Sequence, residues 1–312
     1  MRGVFVFLAV FVGLAPFLAP YEPGRQFPGY QYAPPMRPHA IDDRGAWHSP
    51  FAYAVRAVDP IERRYVEDRT RVVTVGTRDT EPWFLLGSDA LGRDVLSRVL
   101  VGARLSLGVA LLSTVLALLI GALVGAAAGY AGGWVDATLM RVADLVMVLP
   151  GIYVVLALRG VLPLVLTTTQ VFTALVGVLA LVGWPSVARG VRGIILVEGR
   201  SEYAEAARAL GAGSWRVIAR HLLPATRGFL AVQATVLVPA FIMAEATLSF
   251  VGLGFAQPTP SWGAMLRDAA AVRVASDAPW MLAPAGAIVL TVLVVHWVTA
   301  ARDPLIWDGN AS

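Results

Sequence analysis

Long apolar runs alternate with short polar connections along most of the chain. A helix that rises 1.5 Å per residue needs about 20 mostly apolar residues to cross the hydrocarbon core of a bilayer. Six stretches approach or exceed this length with few or no charges, so the pattern predicts an all-α integral membrane protein with six transmembrane helices. In order, the stretches are 1–20, 105–135, 137–158, 171–188, 228–254 and 281–300.

The first stretch, 1–20, carries one cation, Arg2, ahead of its apolar run. That composition also suits a cleaved signal peptide, because Leu18 and Ala19 come near a small-residue cleavage site. Pro20 at the would-be junction disfavours cleavage, so we favour a retained first transmembrane helix over a removed leader.

The one long polar region, 21–104, predicts an external loop or subdomain. It holds 12 Arg against 11 Asp and Glu, so it is nearly neutral, and it is too long for its arginines to set orientation. Frequent proline over 21–50 indicates an extended, irregular path, whereas 71–77 predicts a strand. His39 and His48 have no carboxylate at ligand spacing, so we expect no metal site there.

The end of this region, 89–104, predicts a helix at the membrane interface. Arg93, Ser97 and Arg104 recur near one face, where they suit the headgroup layer. The predicted domains are therefore a first span (1–20), an external subdomain with its interfacial helix (21–104) and a five-helix core (105–312).

Three glycines in the 105–135 span, Gly121, Gly125 and Gly129, recur every four residues. This spacing places them on one helical face, where a neighbouring helix can approach the backbone closely. We therefore expect that face to pack against another span. In the next span, Pro150 predicts a kink.

Glu245 is the ionisable residue within the otherwise apolar 228–254 span. A charge inside a membrane is costly, so such a residue is a candidate for function by default. Two interpretations stand: part of a translocation path or gate near the external mouth, or a carboxyl group that bonds to a neighbouring helix.

A polar segment, 200–226, separates the fourth and fifth spans and predicts two short helices joined by a turn. Glu202 and Glu205 stand in the first turn of the first helix, where acids suit the helix dipole. Gly211 and Gly213 end that helix, Ser214 can cap the second, and Pro224 stops it. Tyr203, Ala207 and Leu210 share one face, and Arg208 points elsewhere.

This segment is either a solvated arginine-rich loop or a docking element for a second protein. Small side chains at Ala206 and Ala207 would permit close approach, and Glu205 offers a carboxylate to a partner's arginine. The wider loop, 189–227, carries seven Arg against three Glu, which predicts a cytoplasmic location. With six spans, both termini are then cytoplasmic.

Composition excludes several functions. The 312 residues are 57% hydrophobic and 15% charged, with a mean hydropathy of +0.67. All 25 cations are arginine, so the chain has no Gly-Lys pair for a Walker A loop, and any ATP would be bound by another chain. Cysteine is absent, catalytic motifs are lacking, and the net charge of +4 requires no nucleic-acid partner.

Three motifs carry a family resemblance. Residues 205–207 (EAA), Gly211 and the closing pair Leu223 and Pro224 resemble the EAA loop of ABC-importer permeases, although His221 stands where the family has an aliphatic residue. Residues 86–98 (LGSDALGRDVLSR) and 245–263 (EATLSFVGLG, continuing to PTPSWG) are similar to the dipeptide/oligopeptide and nickel permease branch, in the subunit type with a long first external loop.

The resemblance implies a six-helix permease subunit of a binding-protein-dependent importer in a bacterial or archaeal plasma membrane. Its partners would be two cytoplasmic ATPase subunits that bind ATP and Mg²⁺, a second homologous permease subunit and an extracytoplasmic solute-binding protein. The chain itself would hold no cofactor or metal and would not be an enzyme. The implied coupling residues are Glu202, Tyr203, Glu205, Ala206, Ala207, Leu210, Gly211, Leu223 and Pro224.

The implied substrate is a peptide or similar small solute, with a nickel complex or glutathione as alternatives. A different class also stays open, namely a self-sufficient secondary transporter or channel. Such proteins usually show internal repeats and several intramembrane charges, and this sequence offers one intramembrane Glu and no convincing repeat.

Overall fold

The computed structural model of the chain describes residues 10, 13–15, 17–41, 47–59, 64–74, 81–151, 153–154, 156–157 and 166–300. These residues are mainly helical and include a small antiparallel sheet, which confirms the predicted all-α class with an external β segment. The strands are β1 (His39–Ile41), β2 (Trp47–Asp59) and β3 (Arg64–Thr74). The helices are α1 (Val95–Ala131), α2 (Gly133–Val148), α3 (Thr168–Glu198), α4 (Glu202–Ala209), α5 (Ser214–Val217), a π-helical turn (Ile218–Leu222), α6 (Leu223–Ala225), α7 (Arg227–Val251), α8 (Trp262–Ala269), α9 (Val272–Asp277), a 3-10 turn (Pro279–Leu282) and α10 (Ala283–Ala300).

Four helices of the described residues are long and apolar enough to cross a membrane. They correspond to the predicted second, fourth, fifth and sixth spans. The predicted first span falls largely outside the described residues and residues 301–312 wholly outside them, while the helix of the predicted third span ends at Val148, so the count of six stays a prediction. The four helices are Val95–Ala131, Thr168–Glu198, Arg227–Val251 and Pro279–Trp297.

Two predicted helix boundaries are wrong. The interfacial helix of 89–104 is not a separate element, because α1 begins at Val95 and continues unbroken to Ala131. Its isolated glycines do not stop it, and it contains no proline. The 189–227 loop is also shorter than predicted, since α3 contains Pro185 and continues through the predicted boundary to Glu198.

Pro150 ends α2 where the sequence predicted a kink. The helix closes at Val148, and Leu149 adopts an extended conformation with ψ 115°. A residue before proline is pushed out of the helical region by the proline ring, which accounts for this end.

The chain divides into two compact units. One consists mainly of Gly108–Glu245 and Val292–Ser312, and the other of Arg2–Leu107 and Ala246–Thr291. The predicted domain limits at residues 20 and 104 separate membrane-spanning from external segments and do not describe packing. They stay a prediction.

The three strands form a sheet in the order β1-β2-β3 within the second unit. The predicted strand at 71–77 is part of β3, which begins earlier, at Arg64; residues 75–77 lie outside the described residues. Pro50 is tolerated in the central strand because it lies at the irregularity between the pairs His39–Phe51 and Ile41–Trp47. His39 lies against aromatic rings, with centroid distances of 5.8 Å to Phe51 and 5.2 Å to Tyr53.

In the first unit, the three glycines of α1 face α3, which confirms the predicted packing. A Cβ atom on Gly121 would lie 2.5 Å from the Cβ of Val187, and one on Gly129 would lie 2.9 Å from the carbonyl oxygen of Arg192. A Cβ on Gly125 would lie 2.9 Å from the Cβ of Val191. The two backbones approach this closely because glycine has no side chain to separate them.

Candidate coupling loop and buried polar residues

The 199–226 segment forms two short helices joined by a tight turn, as predicted. Gly211 ends α4 at φ +80°. Its N–H donates to the carbonyl of Arg208, and the N–H of Ala212 donates to the carbonyl of Ala207. This pair of bonds is a Schellman motif, and it requires a left-handed residue at the position that Gly211 occupies.

Two details of the second helix differ from prediction. Ser214 is the first residue of α5 and not its cap; Gly213 holds the capping position, without a side-chain bond. Pro224 does not stop the helix, because a π-helical turn precedes it, in which Leu223 N–H donates to the carbonyl of Ile218. The wider turn changes the local hydrogen-bond register, and Pro224 stands at the start of α6, where its missing N–H is tolerated.

The loop presents apolar and acidic side chains on its surface. Leu210 is 88% exposed and Trp215 is 69% exposed, whereas Val217 and Leu222 of the same loop are buried. Trp215 is not among the coupling residues predicted from the sequence, although a tryptophan in a short polar helix is itself a sign of a binding surface. The predicted coupling residues Glu202, Tyr203, Glu205, Ala206, Leu210 and Gly211 are exposed, and Ala207, Leu223 and Pro224 are half-buried.

Two side chains of α4 bond to the end of α3. The hydroxyl of Tyr203 donates to Oε2 of Glu198 at 2.5 Å, which raises the pKa of the tyrosine above its ordinary value. Nη2 of Arg208 donates to the carbonyl oxygen of Gly199 at 2.6 Å, and its guanidinium carbon lies 5.8 Å from the centre of the Tyr130 ring. Arg208 is exposed, and these two contacts are not evident from the sequence.

Arg189 and Arg192 are helical residues with acidic partners on α2. Nη2 of Arg192 lies 2.6 Å from Oδ2 of Asp136, and its Nε contacts the other carboxylate oxygen, so the pair is bidentate. Arg189 pairs with Asp144. From the sequence alone both arginines indicate only orientation, because the acids they meet stand about 50 residues earlier in the chain.

Glu245 lies in the C-terminal part of α7 and its side chain is fully buried. The structure does not bring it together with the coupling residues, which precede the start of α7. Its burial is compatible with both interpretations, the bonded carboxyl group and the gate.

The first branch-specific motif, 86–98, forms a buried ionic cluster in the second unit. Nε of Arg93 lies 2.7 Å from Oδ2 of Asp89, and Nε of Arg98 lies 3.5 Å from the same oxygen. Gln257 accepts a bond from Nη1 of Arg93 at 2.7 Å. Arg93 is 3% exposed, so the prediction that it lies on a face turned toward lipid headgroups is wrong.

Next to this cluster, Asp94 immediately precedes α1 and accepts hydrogen bonds from the first turn of that helix. Its Oδ2 accepts from Ser97 N–H at 2.7 Å and from the Ser97 hydroxyl at 2.6 Å. Burial raises the pKa of Asp94 to about 6, and the charge of Asp89 acts in the same direction, against the bonds from Ser97.

The second branch-specific motif, 245–263, packs closely on α1 in the same unit. Trp262 is buried, and its indole Nε1 donates to the carbonyl oxygen of Val99 at 3.0 Å. Its backbone N–H donates to Oγ of Ser106 at 3.2 Å. A Cβ on Gly263 would lie 2.8 Å from Cβ of Ser249, so this position accepts only glycine.

Comparison with known proteins agrees with these features. The family model described as the binding-protein-dependent transport system inner membrane component matches residues 117–308. A protein of Brucella ovis, provisionally named a peptide permease, is 41% identical over 217 residues, which are 69% of each chain. The glutathione transport system permease protein GsiD of Shigella flexneri is 41% identical over 224 residues, 72% of this chain and 71% of its own.

The matched region includes the coupling loop and most of the predicted spans, and the relatives are permease subunits without an ATPase site of their own. The chain has the apolar helices of a multi-pass membrane protein and is an inner-membrane permease subunit of ABC transport. The chain belongs to the family of binding-protein-dependent transport system inner membrane components.

Proposed function

We propose that this chain couples ATP hydrolysis by two partner ATPase subunits to the import of peptides or a similar small solute. ATP and Mg²⁺ would be bound by the ATPases and not by this chain. A second homologous permease subunit would complete the path, and a solute-binding protein would deliver the substrate. The peptide and glutathione permeases to which the chain is similar support this substrate class.

The observation that carries the proposal is the exposed face of the coupling loop. Leu210 and Trp215 expose large apolar surfaces in the same loop that exposes Glu202 and Glu205. Tryptophan is among the residues enriched at interface hot spots. The Schellman turn at Gly211 and the bonds of α4 to α3 hold this face in one geometry.

Copurification of the chain with its ATPases tests the proposal. We expect Trp215→Ala and Leu210→Glu to lower ATPase retention about 10-fold or more, since hot-spot truncations cost about 2 kcal/mol or more. Trp134→Ala is a matched control, because Trp134 is 79% exposed and lies outside the loop. Wild-type retention in both loop variants would contradict the proposed docking face.

The proposed orientation places the coupling loop and both termini in the cytoplasm. Because the natural chain contains no cysteine, a single Ser214→Cys substitution can be labelled without background. We expect an impermeant thiol reagent to label this site in inverted vesicles and not in intact cells. Labelling in intact cells would reverse the orientation.

A further inference from the structure

We propose that the pairs Asp136–Arg192 and Asp144–Arg189 are a positioning device that makes α2 move with α3 when the coupling loop moves. The inference rests on the proposed function and deepens it, because it names the residues through which movement of the loop reaches a second membrane helix.

Side-chain hydrogen bonds join the coupling loop to the end of α3, in addition to the covalent chain. The hydroxyl of Tyr203 donates to Glu198 at 2.5 Å, and Arg208 donates to the carbonyl of Gly199 at 2.6 Å. Only Gly199, Arg200 and Ser201 lie between α3 and α4. Any rotation of α4 imposed by a docked ATPase therefore acts directly on the end of α3.

Apart from the ion pairs, α2 packs against α3 through one apolar stripe. Ala143 is the buried side chain of α2, and together with the half-buried Met140 and Val146 it packs with Trp184 and Ala188 of α3. Most other apolar side chains of α2 point away, including Leu145 at 69% exposure and Val148 at 77%. Because apolar contacts are non-directional, this stripe does not by itself fix the rotation of α2 on α3.

The two ion pairs supply that restraint at two places along α2. Asp136 precedes Ala143 by two helical turns and Asp144 follows it directly, while their partners Arg189 and Arg192 stand three residues apart on α3. The Asp136–Arg192 pair is bidentate, which fixes orientation as well as distance. Two restraints at separate points of α2 oppose its rotation on α3, whereas a single contact point would allow it.

A bilayer around α2 and α3 would raise the cost of separating these charges. Removing one partner leaves a charge in or near the apolar region without its counter-ion, whereas exchanging the two charges keeps the pair. A charge exchange therefore separates the pairing itself from the identity of each residue.

The experiment uses the full transporter, reconstituted with its ATPases in vesicles, and measures solute imported per ATP hydrolysed. We expect Asp136→Asn and Arg192→Gln each to keep ATP hydrolysis while lowering import per ATP about fivefold or more. The double variant Asp136→Arg with Arg192→Asp should recover most of that ratio. A single-charge variant that stays fully coupled, or an exchange that recovers nothing, would overturn the proposal.

A second measurement does not depend on charge. Asp144→Cys with Arg189→Cys can be bridged by a short bifunctional thiol reagent, since the natural chain has no cysteine. If α2 and α3 move together, the bridged protein keeps the import ratio of the unbridged double variant or exceeds it. Import that stops on bridging would show that the two helices must separate, and would overturn the proposal.

These results are distinguishable from failure of the proposed function. If the wild-type chain neither retains ATPases nor imports solute with ATP, the function itself is wrong. If wild-type import is ATP-dependent and the variants remain coupled, only the positioning role is wrong.

Discussion

Gly121 of α1 lies against Val187 of α3 so closely that a Cβ atom on the glycine would stand 2.5 Å from the Cβ of the valine. The carbonyl oxygen of Trp184 would lie 2.8 Å from the same added atom. The backbone of α1 at Gly121 thus packs directly against side-chain and carbonyl atoms of α3. The same close contact recurs at Gly125 and Gly129. Since one of the obstructing groups is backbone, the site has little room to adjust.

We expect Gly121→Ala to destabilise the protein, because overpacking a tight contact costs about 1–3 kcal/mol. Gly177→Ala is the matched control: Gly177 lies on α3 with nothing within 4 Å of an added Cβ. That control should leave stability unchanged or raise it, because alanine favours helix more than glycine does. Thermal unfolding in detergent measures both, and equal midpoints for the two variants would contradict the close contact.

Gly211→Val should disturb the coupling loop through the backbone alone. The residue has φ +80°, and nothing lies within 4 Å of an added Cβ, so strain and not a clash is expected, at about 1–2 kcal/mol. Gly213→Val is the control, since Gly213 has φ −62° and the same open surroundings. We expect only the first variant to lose ATPase retention and substrate-stimulated ATP turnover. Equal behaviour of the two valines would show that the turn geometry does not matter.

We expect Asp94 to make the protein less stable as pH rises, which is opposite to the usual effect of a carboxyl group. Its folded pKa of about 6 lies above the ordinary value of 3.8, so the folded protein holds this proton more tightly than the unfolded chain. Between about pH 4 and 6 the free energy of unfolding therefore falls as pH rises, by up to about 3 kcal/mol from this group.

Asp94→Asn keeps an oxygen to accept the bonds from Ser97 and removes the charge, so it should flatten this slope. Asp68→Asn is the control, because bonds from Thr70 lower the pKa of Asp68 and its titration cannot produce the same slope. Thermal midpoints measured in detergent from about pH 4.5 to 7.5 test the prediction. Parallel curves for Asp94→Asn and the wild type would count against it.

Glu245→Gln should preserve transport. The glutamine keeps the size and an acceptor oxygen of a fully buried side chain, so we expect uptake within about twofold of the wild type and an unchanged pH profile. Glu245→Ala, which leaves a cavity, should instead lower thermal stability. Loss of uptake in Glu245→Gln, together with proton-dependent uptake by the wild type, would favour a secondary transporter.

Local features of the sequence were sufficient for much of this protein. The apolar runs predicted the long helices, because spanning length and hydropathy are properties of a single segment. The spacing of Gly121, Gly125 and Gly129 identified a packing face, since helical periodicity alone places them together. Gly211 predicted the end of α4, because glycine is the residue most often found in the left-handed conformation that closes a helix. The coupling roles of the loop residues and of Glu245 stay predictions.

Only the tertiary structure decided which charges meet. Arg189 and Arg192 looked like orientation signals, and Arg93 looked like an interfacial residue, because a sequence does not show distant partners such as Asp136 or Gln257. The same limit applies to Pro224, which ends a helix by rule but follows a π-helical turn here. The partner of a charge, the partner of a hydrogen bond and the register of a helix depend on neighbours that folding brings together. Helical periodicity and backbone preference, by contrast, are properties of the local sequence.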